Sequence, residues 1–500
     1  MKVRFLIILT VILVLASGCT QPPSDQFTRY ETADSSSMET FSVEYPEWEE
    51  TENDDPLNVI TMVRADNICT FYLNAPEAPM QWYEIALKNY ITENDFTLLS
   101  EKPLSYKMTT GDGYTFLTKT RGMFCDDKSY FVIFSCIEGN FDEALFNQIT
   151  DSMNCEKKWS VPERTSKKLG LVISPANTTT VYSDFARAYN IARNSGIQIT
   201  HNYVAWGDIE NRSGSYNWLG TDFINNLIQN KGLEVSVVFN IIHTSVVGKL
   251  PEDITFKKFD DPELVRRFTD FVLKYIDRYR DIISYVEIGN EVDIYLNSHP
   301  DELQSFRSLY QQVYNSIKEK YPDLPVGTVF AYHDMKKSNA FWVYHNLSFG
   351  DFDDFTLYIY SDGFIFNRDP SEVGRHLKEI EQLTGSRKFG MEEVGWSTSP
   401  KLQGKEEDQR ETVKEFFNYL EQAPNRLQFM NYFLLHDGKE DDCMEQAKSF
   451  IEPDHPILEN KEFMDIFSDF LCQLGLIKND GTEKLAWAEW VKRAGEYKVS

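Results

Sequence analysis

The chain has 500 residues, with 50 Lys and Arg against 78 Asp and Glu, for a formal net charge of −28. That length allows two or three domains and a full hydrophobic core. So acidic a surface argues against a groove that tracks phosphates, and hence against nucleic acid as a partner.

Lys2 and Arg4 precede an apolar stretch from Phe5 to Ala16, which ends in Ala16-Ser17-Gly18-Cys19. About a dozen apolar residues are too few to span a bilayer, so residues 1–19 read as an export signal. The small residues before Cys19 resemble a lipobox, which implies lipidation of Cys19, a membrane anchor and a location on the outer face of the cell membrane. Residues 20–56, rich in Ser, Thr, Pro and acid, read as a disordered tether.

A small α+β domain is expected over residues 57–159. Its strand signals lie at Val59–Leu73, Phe96–Ser100, Leu104–Met108, Tyr114–Thr120 and Tyr130–Cys136, with helices at Pro76–Ile91 and Phe141–Met153. No catalytic constellation falls there, and its role is not legible. Six cysteines follow Cys19, an even number that permits disulfides in an exported chain, among Cys69, Cys125, Cys136 and Cys155 and between Cys443 and Cys472. None has the Cys or His spacing of a zinc site, so no metal is expected.

From Lys168 the pattern becomes strand then helix, repeated, with strands beginning near Leu169, Ile197, Leu233, Ile282, Leu324, Phe355, Lys388 and Leu427. The clearest helical stretches are Phe268–Arg280, Asp301–Lys320 and Glu407–Gln422. Eight such units over residues 165–500 predict a (β/α)8 TIM barrel. A doubly wound sheet alternates too, but no Gly-rich phosphate turn follows the first strand.

Barrel enzymes work at the carboxyl ends of their strands. Glu291 closes the fourth predicted strand, in Glu287-Ile288-Gly289-Asn290-Glu291, and Glu393 closes the seventh, in Met391-Glu392-Glu393-Val394-Gly395-Trp396. Unpaired buried carboxylates are costly, and two of them at one barrel mouth suit glycoside hydrolysis. Glu287 is expected inside its strand. A one-residue slip would turn Glu392 rather than Glu393 to the mouth.

Gly289-Asn290-Glu291 resembles the Asn-Glu signature of glycoside hydrolase clan A, and Glu393-Val394-Gly395-Trp396 resembles that clan's strand-seven segment. The resemblance implies Glu393 as nucleophile, Glu291 as acid/base and Asn290 as a ligand of the sugar 2-hydroxyl, with no cofactor. Trp206-Gly207-Asp208-Ile209-Glu210 through Trp218, and Gly475 through Trp487, are similar to segments that shape loop two and close the barrel in that clan. The chain departs from the clan pattern at Val292, where a Pro is usual, and at His201, where an Arg is frequent. Trp396, His201, His243, Tyr358, Tyr360, Tyr432 and His436 are expected to bind substrate, and His333 is a weaker candidate. Asn177, Asn211 and Asn346 head short glycosylation sequons.

These readings converge on an exported, lipid-anchored retaining glycosidase of β-linked poly- or oligosaccharide; the Gly289–Asp293 segment resembles endo-galactanase- or endo-glucanase-like members of the clan, with endo or exo action left open. The competing reading is a barrel that binds carbohydrate at the cell surface without turnover, because fold alone does not certify activity. A transglycosylase would share every residue named.

Overall fold

The computed structural model describes residues 27–32, 39–50, 58–64, 68–76, 80–94, 96–101, 103–110, 113–125, 128–157, 167–176, 182–360, 369–453 and 455–497. The expected export signal, Cys19 and the Asn177 sequon lie outside them. The chain forms two compact units, one carrying Met1–Ser160 and Val181–Ala186 and one carrying Val161–Thr180 and Arg187–Ser500. Among the described residues no helix is long and apolar enough to cross a membrane.

The first unit holds a three-stranded antiparallel sheet of Phe27–Glu31, Glu39–Pro46 and Asn154–Lys157. A seven-stranded antiparallel sheet accompanies it, with helices Met80–Glu93 and Glu143–Asp151. The tether expected over residues 20–56 is therefore corrected: its described part is strand. Phe41 and Val43 are buried at alternate positions, and Phe41 stacks on Tyr130 at 3.9 Å between ring centroids. Two apolar residues at period two anchor a strand that a polar composition conceals. Val59–Leu73 likewise is a hairpin, Asn58–Val63 against Cys69–Asn74, rather than a single strand. Disulfides join Cys69 to Cys136 and Cys125 to Cys155.

The second unit is the barrel. Its strands are β1 (Lys168–Leu171), β2 (Ile199–Val204), β3 (Glu234–His243), β4 (Ile283–Asn290), β5 (Val326–Gly327 and Val329–Ala331), β6 (Phe352–Tyr358), β7 (Lys388–Gly395) and β8 (Leu427–Phe433). All run parallel, in the order 4-3-2-1-8-7-6. β5 closes the ring, its first half pairing with β4 and its second with β6. At the break between the halves, Thr328 donates its hydroxyl to the Ile288 carbonyl at 2.7 Å. β3 shows why these segments are strands: nine of its ten residues are buried and its middle is apolar and β-branched, as a strand covered on both faces requires.

Helices cover the outside. Pro262–Tyr279 begins where Asp261 accepts the Glu263 and Leu264 amides at 3.0 and 3.3 Å, with Pro262 in the first turn. The Trp206 segment packs as expected. Trp206 Nε1 donates to Glu210 Oε2 at 2.6 Å, Gly214 N donates to Glu210 Oε1 at 2.9 Å, and buried Arg267 donates to Glu210 Oε1 at 3.3 Å. After β8, helices Glu440–Ser449 and Lys461–Cys472 form a hairpin joined by the Cys443–Cys472 disulfide. The tail then returns to the barrel, where Lys484 Nζ meets Asp437 Oδ1 at 2.7 Å in a buried ion pair.

Candidate active site

Two backbone irregularities set the catalytic carboxyls in place. The first is at the end of β4, where Gly289 has φ +84° and a Cβ there would stand 2.5 Å from Val292 Cγ1, so only glycine fits. Glu291 itself is left-handed, at φ 48° and ψ 43°, as it caps the helix Val292–Ser298. Its hydrogen-bond partner Thr244 has φ 57°. A non-glycine residue in that region costs about 1–3 kcal/mol, and such strain collects at functional sites.

The second irregularity is a bulge in β7. Against β6, Phe355 pairs with Met391 and Thr356 with Glu393, so Glu392 is skipped. The bulge breaks the alternation of faces. Glu393 lines the pocket, while Glu392 sits buried beneath it against His201 Nε2 at 2.6 Å.

Each carboxyl is held by two hydroxyl donors. Thr356 Oγ1 donates to Glu291 Oε1 at 2.6 Å and Thr244 Oγ1 to Glu291 Oε2 at 2.8 Å. The Tyr203 phenol donates to Glu393 Oε1 and the Tyr358 phenol to Glu393 Oε2. Burial raises the Glu291 carboxyl above the ordinary range, opposed by its two threonines. Burial also raises Glu393, followed by the charges of Glu392 and Glu291, and the two phenols oppose the rise.

Beneath them lie Glu287, Asp354 and Glu392, all buried, and all pushed well up by burial and then by neighbouring carboxylates. Burial lowers His201 to about 3. His201 is therefore neutral, its Nδ1 2.7 Å from Ser236 Oγ. Among the described residues no group of three His, Cys, Asp or Glu could hold a metal ion.

The pocket above the carboxyls has a volume of about 660 Å³. Asn290 and His243 line it, with Asn290 Nδ2 and His243 Nδ1 3.2 Å apart. Asn290 Oδ1 is buried with no hydrogen-bond partner in the protein. Burial lowers His243 to about 4, so its imidazole is neutral. Tyr358 and Tyr360 also line the pocket, but Tyr360 donates to Asp334 Oδ2 at 2.6 Å rather than to Glu393.

Four sequence-derived candidates lie elsewhere. His201 is below the site, as described. Trp396 is buried and outside the pocket. Tyr432 faces the helix layer, with ring centroids 6.0 Å from Phe416 and 5.9 Å from Trp490, and its neighbour Phe433 lines the pocket in its place. His436 is buried, its Nδ1 2.6 Å from the Ser174 carbonyl. The weaker candidate His333 is buried as well, with Nε2 2.9 Å from the Tyr360 carbonyl. Tyr203, Thr244, Thr356 and Asp334 were missed. Tyr203 and Thr356 were reachable by period two, each sharing a strand face with another inward polar residue (His201, Asp354).

No protein-family model matches the chain, and no curated protein does. Solved structures do match its fold. GH5_18 from Bifidobacterium longum subsp. infantis aligns at 14% identity and TM-score 0.50, over 67% of this chain and 80% of that one. GH5_18 from Streptomyces cattleya, crystallised with GlcNAc, aligns at 14% identity and TM-score 0.50, over 67% and 81%. The chain thus shares the TIM-barrel fold of clan A glycoside hydrolases, with a separate antiparallel sheet domain at its N-terminus.

Proposed function

We propose that this protein is a retaining glycoside hydrolase of β-linked sugars. The carrying observation is that Glu291 and Glu393 line one pocket, each gripped through both oxygens by hydroxyl donors. The phenols of Tyr203 and Tyr358 oppose the rise in Glu393, and the roles of Glu393 as nucleophile and Glu291 as acid/base follow the resemblance of the Gly289-Asn290-Glu291 and Glu393-Val394-Gly395-Trp396 segments.

Glu393 attacks the anomeric carbon while the glycosidic C–O bond breaks, and the Glu291 proton passes to the leaving oxygen. Glu291, now ionised, takes a proton from water, whose oxygen displaces Glu393 from the sugar. Two displacements return the original anomeric configuration. Asn290 lines the pocket beside Glu291, placed to bind a sugar hydroxyl. Sugar-bound neighbours, GlcNAc in one and Manb1-4GlcNAc in another from Streptomyces cattleya, support a saccharide in this position.

The test is turnover of β-glycosides by protein lacking residues 1–19, beside Glu393→Gln and Glu291→Ala. Activity is expected to vanish in the first variant and to be rescued by azide in the second. We infer further that the protein is exported and anchored through Cys19, from the sequence Phe5–Cys19. Labelled fatty acid should enter the wild type and not Cys19→Ala.

A further inference from the structure

Thr356, Tyr358 and Tyr360 recur at every second position along and just beyond β6, and each donates to a carboxyl on a different element. Thr356 serves Glu291 after β4, and Tyr358 serves Glu393 on β7. Tyr360 serves Asp334, with its phenol 2.6 Å from Oδ2. All three carboxyls line the one pocket. The first two carry the reaction proposed above, and Asp334 is the third carboxyl of the site.

Asp334 stands in the first turn of the short helix Tyr332–Ser338, which follows β5. The helix dipole favours any acid in that turn, but it does not require a phenol to aim the carboxyl into a cavity. Asp293 Oδ1 accepts the Ala331 amide at 2.7 Å, a buried bond that ties the end of β4 to the end of β5. Asp334 thereby comes near enough to Glu291 that its charge adds to burial in raising that carboxyl. The lysines of the same helix are turned elsewhere. Lys336 Nζ lies 2.6 Å from Glu379 Oε2, and Lys337 Nζ lies over the Tyr360 ring at 4.7 Å. Among the described residues, Tyr360 bonds Oδ2 of Asp334 and no donor bonds Oδ1.

A carboxylate has about four acceptor positions, and Tyr360 occupies one. The rest remain for a ligand in the pocket. Burial, and after it the charge of Asp334, raises the Tyr360 phenol well above its ordinary range, so the phenol keeps its proton and holds the carboxylate in place. A sugar carries hydroxyl donors on adjacent ring carbons. A hydroxyl that donates to a charged oxygen makes a bond roughly twice as strong as one to a neutral acceptor.

Resting on the glycosidase reading above, we propose that Asp334 is a substrate-binding residue whose carboxylate accepts hydrogen bonds from hydroxyls of the bound sugar. Tyr360 orients it, and the β6 ladder of donors fixes it in register with Glu291 and Glu393. Asp334 therefore selects among sugars by the placement of the hydroxyls it holds.

The experiment titrates methyl β-glycosides of glucose, galactose, mannose and GlcNAc, with the monodeoxy analogues of each, into Glu393→Gln protein and into the Glu393→Gln/Asp334→Ala double variant. The sugar that binds best should lose about ten- to a hundredfold in affinity when Asp334 is removed. At least one of its monodeoxy analogues, lacking a hydroxyl that Asp334 holds, should lose about fivefold less than the parent. Equal losses for the parent and every analogue would mean that Asp334 shapes the pocket without touching the sugar, and would overturn the proposal. An unchanged affinity for the parent would overturn it as well. Asp334→Asn, which keeps the side-chain volume, supplies the same comparison if the alanine variant does not fold. Should no sugar bind Glu393→Gln protein, the proposal and the glycosidase reading fall together, whereas bound sugar with equal losses overturns the proposal alone.

Discussion

Thr356 and Tyr358 stand two residues apart on one face of β6, and each donates to a different catalytic carboxyl: Thr356 to Glu291, Tyr358 to Glu393. One strand thereby sets the relation between acid and nucleophile. Because the spacing of two inward residues is fixed by the pleat, loop motion does not disturb it.

Removing either donor should move one carboxyl. A hydroxyl that donates to a carboxylate favours the ionised form. Tyr358→Phe should therefore raise Glu393 further, shift the acid limb of the kcat/KM profile to higher pH, and lower kcat about ten- to a hundredfold. Thr356→Val should raise Glu291 and move the alkaline limb upward. A pH–rate series on both variants checks the pair of signs.

The wild-type profile should be bell-shaped, with both limbs above the ordinary carboxylate range, because burial raises both groups. Activity on the acid side needs Glu393 ionised, and activity on the alkaline side needs Glu291 protonated. Glu291→Gln should abolish the alkaline limb and cost about 10²–10⁴-fold on substrates with poor leaving groups. Glycosides with activated leaving groups should lose far less in the first step.

The buried Lys484–Asp437 pair makes a prediction about stability. Desolvation raises Asp437 to about 6 even with Lys484 beside it. In Lys484→Met the carboxyl rises further, so the folded state binds a proton that the unfolded state releases. Stability of the variant should then fall as pH rises from the unfolded carboxylate range through the folded value. Denaturant melts should find it about 3–5 kcal/mol below wild type at pH 8 and much closer at pH 5.

Glu210 receives Trp206, the Gly214 amide and buried Arg267. Glu210→Ala should cost about 3 kcal/mol by leaving Arg267 short of a partner. The folded fraction should keep kcat within a few-fold, in contrast to Glu393→Gln. A thermal melt beside an active-site titration separates the two effects.

The barrel was legible because most of its strands carry dense apolar runs, as in Glu234–His243. Starts expected at Ile197, Leu233 and Ile282 lie within two residues of the observed Ile199, Glu234 and Ile283. Glu291 and Glu393 were legible because charge at the end of such a run is costly. The facing of neighbours was harder. Trp396 and Tyr432 were expected to bind substrate, yet both are buried outside the pocket. No periodicity in a sequence announces a bulge. The phenylalanines that line the pocket were missed too: Phe463, Phe467 and Phe470 share one helix face at spacings of four and three, while Phe450 joins them only in the fold. The early strands at Phe27–Glu31 and Glu39–Pro46 were masked by their polar composition.

The central claim, that Glu393 forms a covalent bond to the sugar, is best tested by trapping. Wild-type protein would be treated with 2-deoxy-2-fluoro-β-glycosyl fluorides of glucose, galactose and mannose, then digested and analysed by mass spectrometry. The account predicts one fluorosugar per chain, attached to the peptide containing Glu393 and lost in Glu393→Gln. A label on Glu291 or Glu392, or turnover of a natural glycoside with inversion at the anomeric carbon, would contradict it.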